Sequence, residues 1–151
     1  MTGVVSAANS LVGSSTFDVI GGWPFAGGSR NLVVALTNGN YVVGSPGWDN
    51  GAIVDAGAVT WGNGTSGVTG VLSAANSLIG SKAGDLVGNV GAKALTNGNY
   101  VVMSGAWDNG SIVDAGALTW GSGTTGVTGT VSVANSFAGS MSGLPAPMMT
   151  L

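Results

Sequence analysis

The chain has 151 residues, of which 29 are Gly and only 6% are charged; six Asp, no Glu and three Lys or Arg leave a formal charge of −3. Without Cys or His there is no disulfide, thiolate nucleophile, Cys-ligated zinc, Ser-His-Asp triad or imidazole base. Three scattered cations give no footprint for nucleic acid, while 44% hydrophobic residues suffice for a core that disordered chains cannot build.

In chain order, Met1-Thr2-Gly3 lacks the basic-then-apolar layout of a signal peptide. Gly3–Gly13 (GVVSAANSLVG) then opens a motif that returns at Gly70–Gly80 (GVLSAANSLIG) and Gly129–Gly139 (GTVSVANSFAG). Residues 36–80 align without gaps on 95–139, with 33 of 45 positions identical at an offset of 59. The first spacing is 67 instead, and the eight extra residues fall in an insertion, 22–29, around Trp23-Pro24-Phe25. Loops absorb such length changes at little entropic cost. The chain therefore divides into a tandem repeat domain, 1–139, and a C-terminal tail, 140–151. Within the domain lie a partial repeat 3–35, a repeat 36–94 and a repeat 95–139. The tail, with Pro145 and Pro147, has lost the pattern and is unsuited to a central strand.

Inside one unit no apolar face persists at helical spacing, and Gly interrupts almost every run. The runs that remain read as strands: Tyr41-Val42-Val43, Ala58–Trp61, Val71–Ala74 and Asp85-Leu86-Val87. Turns fall at Ser45-Pro46-Gly47, Gly62–Thr65 and Ala75-Asn76-Ser77. Asn-Gly pairs at Asn38, Asn50, Asn63, Asn97 and Asn109 supply the positive φ that tight reversals need. The fold class expected is all-β, in propeller-like blades of four short antiparallel strands. The alternative is a β-helix or solenoid, whose coils repeat every ~20–30 residues; no such sub-period divides the unit. Charge-free stretches such as 56–81 and 115–151 are too often broken to give ~20 consecutive apolar residues, so no membrane insertion is expected.

The order Asp85–Gly88, Leu95–Val102 and Asp114–Trp120 resembles a degenerate FG-GAP repeat, the blade of integrin-type β-propellers, with Gly44-Ser45-Pro46 where that family has Gly-Ala-Pro. The runs LTNGNYVV, WDNG and DAGAVTWG are still more similar to tandem repeats of unknown function from large bacterial surface proteins. That resemblance implies a secreted or cell-surface parent protein. It also implies a calcium loop, but Thr37-Asn38-Gly39-Asn40 holds no carboxylate for a hard cation.

The acids recur in place: Asp49 and Asp108 in WDNG, Asp55 and Asp114 before Ala-Gly-Ala, and Asp85 matching Asp18. Asp49 and Asp55, like Asp108 and Asp114, are the candidates for a cation site, weighed against backbone capping by Asp in turns. Of the aromatics, Trp61 and Trp120 end apolar strands and are expected in the core. Trp48 and Trp107, in polar loops, are candidates for stacking a sugar, and Trp23 in the insertion is the candidate exposed contact. No residue is assigned a catalytic role, no cofactor is implied, and the chain is not read as an enzyme. The expected function is a structural or adhesive β-repeat module, completed by homo-oligomerisation or by a longer array. A lectin-like glycan-binding propeller is the alternative. Expected partners are copies of itself, with a glycan or surface protein beyond them.

Overall fold

Where the sequence alternates short apolar runs with Gly and Asn, the chain pairs and reverses. The computed structural model describes residues 3–24 and 32–141, and these hold strands of two to five residues and no helix. The strands are β1 (Leu11–Val12), β2 (Val33–Ala35), β3 (Tyr41–Ser45), β4 (Ala58–Gly62), β5 (Gly70–Val71) and β6 (Ser77–Ile79). The second copy gives β7 (Gly91–Ala94), β8 (Tyr100–Ser104), β9 (Ala117–Gly121), β10 (Gly129–Thr130) and β11 (Ser136–Ala138).

The same four-stranded antiparallel meander forms twice, β2-β3-β4-β6 and β7-β8-β9-β11, its first strand each time lying just ahead of the repeat bounds 36–94 and 95–139. The protein is all-β, with antiparallel sheets in place of the parallel coils of a β-helix. The two-residue strand between the third and last strands does not join its own sheet. β5 lies parallel on β1 and β10 lies parallel on β6, in matching registers: Leu11 opposite Gly70, Leu78 opposite Gly129. A repeat thus lends a strand to the one before it.

Reversals are held by the side chains that recur. Asn9, Asn76 and Asn135 each accept the N–H of the Ser three residues earlier and donate to the carbonyl five residues earlier. That pair of bonds shapes the SAAN turn and delivers the chain from the lent strand to the last one. Asn40 and Asn99 accept the N–H of Gly64 and Gly123, tying the β2–β3 and β7–β8 reversals to the turns after β4 and β9.

Several expected boundaries move. Asp85-Leu86-Val87 is a connector, because Leu86 sits at φ +48° and Val87 makes only an isolated parallel bridge to Gly57. Val71–Ala74 reduces to Gly70–Val71, and Ser77, read as turn, opens β6. β7 (GAKA) was not expected at all: Gly and Lys hide a strand whose partner is set by register with β8. Of the insertion 22–29, Gly22, Trp23 and Pro24 are described, with Pro24 packed over Gly47; residues 25–29 lie outside the described residues. So does the tail from residue 142 onward.

The core is shared between repeats. Leu36, Val42, Val59 and Leu78 of the first pack with Val87, Tyr100, Val102, Trp107, Ala117 and Val131 of the connector and the second. A smaller cluster joins Trp48, Ala58, Leu72 and Ile79 to Leu11 and Ile20 of the partial repeat. At the close approach between the two, Gly57 is at φ +74°, and a Cβ there would stand 2.2 Å from the Val87 nitrogen. Gly51, at φ +62°, faces open space.

Gly51→Ala should cost only the left-handed backbone penalty, about 1–2 kcal/mol. Gly57→Ala adds a backbone collision to it and should cost at least about 2 kcal/mol more. Urea unfolding of the two variants checks the order; equal losses would mean that Gly57 is not a contact point between repeats.

Candidate functional site

Two buried carboxylates, each accepting three backbone N–H groups, sit at joints. Asp85 Oδ2 accepts the N–H groups of Ser81 and Lys82 at 2.8 and 2.9 Å, and Oδ1 accepts the N–H of Asp108 at 3.1 Å. Asp18 repeats the arrangement with Ser14, Ser15 and Asp49, at 2.6, 2.7 and 3.0 Å. Each carboxylate closes the turn after a last strand and fastens it to the WDNG loop of the next repeat. A carboxylate fits because it offers several lone pairs to donors converging from two directions.

From this node the connector Asp85–Gly88 crosses the joint. Leu86 and Val87 donate to the carbonyls of Asp55 and Ala56 on the repeat behind, both at 3.1 Å. Gly88 donates to Ser104 Oγ ahead, and Gly105 donates to Asn89 Oδ1. Farther along the joint, the Gly123 carbonyl accepts from Asn38 Nδ2, Asn40 Nδ2 and Trp61 Nε1 at 2.7, 2.7 and 3.0 Å. Val131 donates to Ile79 beside β10. One face of the joint therefore belongs to each repeat: donors Asn38, Asn40 and Trp61 with acceptors Asp55 and Ala56 behind, the reverse set ahead.

Two of the four candidate cation residues, Asp49 and Asp108, bind backbone. Asp49 Oδ1 accepts the N–H of Asp55 at 2.8 Å, and Asp108 Oδ1 that of Asp114 at 2.9 Å. Asp55 and Asp114 stand at φ +53° and +50°, conformations that short Asx side chains tolerate. Lys82 donates to the Gly110 carbonyl and lies 3.9 Å from Asp108 Oδ2. Asp49 and Asp55 do converge, as their spacing suggested, and burial together with the Asp49 charge raises the Asp55 carboxyl above its ordinary value. Among the described residues no three acidic side chains gather as metal ligands.

Trp61 packs against the core as expected, while Trp48, Trp107 and Trp120 differ from their expected places. Trp48 and Trp107 are 3% and 4% exposed, and among the described residues their indole N–H groups find no acceptor. Pro46, also buried, and the Trp48 ring fill the space that the polar loop sequence disguised. Trp61 is half-buried under the turn before Gly126, whereas Trp120 is 55% exposed, with no further turn over it among the described residues. Trp23 is half-buried rather than a free aromatic. No helix among the described residues is long and apolar enough to cross a membrane.

The model of a protein family described as a repeat of unknown function (DUF5650) matches residues 1–22, 35–89 and 94–143. Neither the curated proteins nor the solved structures contain a match to the chain. The three matched segments correspond to the partial and the two full repeats.

Asp85→Asn would turn an amide NH₂ toward one of its donors and remove charge from the rest. A loss of about 3 kcal/mol in chemical unfolding is expected. Asp55→Asn has the opposite sign. Its folded carboxyl holds a proton more tightly than the unfolded one, so stability falls as pH rises through the raised value. The variant should be slightly more stable than the parent at neutral pH, and the difference should vanish below 3.8, the ordinary value. A gain that persists in acid would assign the effect to backbone conformation instead.

Proposed function

We propose, since the chain belongs to the DUF5650 family of repeats, that it is a non-catalytic structural and adhesive module of a bacterial surface protein. Its blades stack on like neighbours, supplied by a second copy or by further repeats of a longer chain, to complete a propeller. The observation that carries this reading is the use of the recurring acids: Asp18, Asp49, Asp85 and Asp108 all accept backbone N–H groups that shape turns or fasten joints. Acid/base hydrolysis requires a carboxyl poised toward a cleft and free to exchange its proton with substrate. The repeats instead bind their acids to themselves. The low charge and the dependence of each core on residues of the adjoining unit support stacking as the purpose of the fold. No cofactor, nucleic acid or inserted membrane segment belongs to this function. The surface location rests on the resemblance of the LTNGNYVV, WDNG and DAGAVTWG runs.

If stacking is what stabilises the unit, a chain shortened to end at Gly80 should lose its cooperative melt, because Val87, Tyr100 and Trp107 leave the core. Differential scanning calorimetry checks this, and an undiminished transition would end the reading. Indole emission titrated with a panel of glycans should stay flat, since Trp48 and Trp107 are enclosed; saturable quenching would favour the lectin-like alternative.

A further inference from the structure

The two ends of the molecule carry the two halves of a joint it has already made once. At the C-terminal end, Trp120, Asn97, Asn99, Asp114 and Ala115 occupy the places that Trp61, Asn38, Asn40, Asp55 and Ala56 hold in the internal joint. Trp120 is 55% exposed, and among the described residues the Nδ2 groups of Asn97 and Asn99 donate to nothing. Beside them is an open apolar groove of about 280 Å³, lined by Met103, Asp114, Ala117, Leu118, Phe137 and Met141. In the internal joint the corresponding groove is closed by Leu86–Gly88. The outer edge of β11, where β6 carries β10, bears no strand among the described residues.

At the N-terminal end the other half stands ready. Val19 has φ +40° and Gly21 φ +75°, matching Leu86 at +48° and Gly88 at +80°. Asp18 fastens this connector to Asp49, and Gly21 donates to Ser45 Oγ, as Gly88 does to Ser104. The N–H groups of Val19 and Ile20, which correspond to the two donors that cross the internal joint, have no acceptor among the described residues. Gly64 presents the carbonyl that corresponds to Gly123.

The chain's own tail cannot replace the missing connector by the same chemistry. Pro145 holds the sequence position of Leu86, and a proline has no N–H to donate. Leu144 stands where Asp85 would be. The matching donor set in the chain is Asp18–Gly21, and it belongs to the opposite end.

We propose that a second copy docks head to tail on the C-terminal repeat. Its Asp18–Gly21 connector enters the Asp114–Leu118 groove, its Gly64 carbonyl meets Asn97, Asn99 and Trp120, and its β5 lies parallel on β11. In the single chain, β5 is covered by β1, and among the described residues β1 has no other strand partner. Residues 3–13 are therefore a placeholder with the sequence motif of 129–139, held on one side only. Val5 shows this: it is 74% exposed, while its counterparts Leu72 and Val131 are 2% exposed. The partner's β11 displaces the placeholder because β11 brings β9 and the whole blade with it. This inference rests on the stacking function proposed above and adds its residues and register.

The native chain has no Cys, so a clasp can be built without background. Val12→Cys with Val71→Cys, opposite each other in the β1–β5 pair, locks the placeholder when bridged. Sedimentation of the full-length variant should show concentration-dependent association when reduced and monomer when bridged. Trp120→Ala, at an exposed position, should weaken association roughly thirtyfold, as loss of a central Trp anchor does, with the far-ultraviolet dichroism unchanged. In mixtures, Ala138→Cys chains should cross-link to Val71→Cys chains in preference to themselves. Association unaffected by the bridge, or indifferent to Trp120→Ala, would overturn the proposed face. A reduced chain that stays monomeric at every concentration would overturn the docking itself while leaving the calorimetric test of stacking untouched.

Discussion

A sheet of strands no longer than five residues cannot cover its own faces, and the buried carboxylate of Asp85 is what allows two such sheets to share one interior. Three N–H donors converge on it, two from the turn that ends one repeat and one from the loop of the next. With that loop fixed, Trp107 is set into the core alongside Val87, and Val87 reaches back to bridge Gly57. Remove the anion and the connector loses the reason for its left-handed turn at Leu86. The joint is thus polar at its hinge and apolar on either side, which suits a chain with too few charges to staple its surface by ion pairs.

The repetition that was visible in the sequence is faithfully reproduced, down to paired registers, because identical Asn and Gly positions impose identical reversals. Strand identity was legible where β-branched and aromatic residues cluster, as at Tyr41–Ser45 and Ala58–Gly62. It was hidden where pairing partners decide, as in GAKA of β7. The transfer of β5 and β10 out of their own sheets has no local signal, since a two-residue strand carries no period. The tryptophans show the same limit. Trp48 and Trp107 lie in Gly-rich polar loops and are enclosed by a neighbouring connector, while Trp120 ends an apolar strand and faces outward for want of a neighbour. Burial here is a property of position in the array, which a single unit does not encode.

The same dependence explains why the recurring acids look like cation ligands in sequence and yet, at Asp18, Asp49, Asp85 and Asp108, hold backbone N–H groups. WDNG and DAGA bring Asp49 and Asp55 together, and the raised Asp55 carboxyl records their proximity. Yet Asp49 Oδ1 accepts an amide N–H of its own loop. Gly57 follows from similar crowding: there backbone passes backbone at the joint with no allowance for a Cβ.

The backward loan of β10 to β6 also bears on how such a protein is made. The edge of β6 ends at Ile79, and the strand that covers it begins at Gly129, 50 residues later in the chain (129 − 79). At ribosomal rates of about 5–20 residues per second, each finished meander waits several seconds with an unsatisfied margin. The nascent protein therefore emerges one repeat short of covering its last β6-type edge, which stays open to pairing until the following unit arrives.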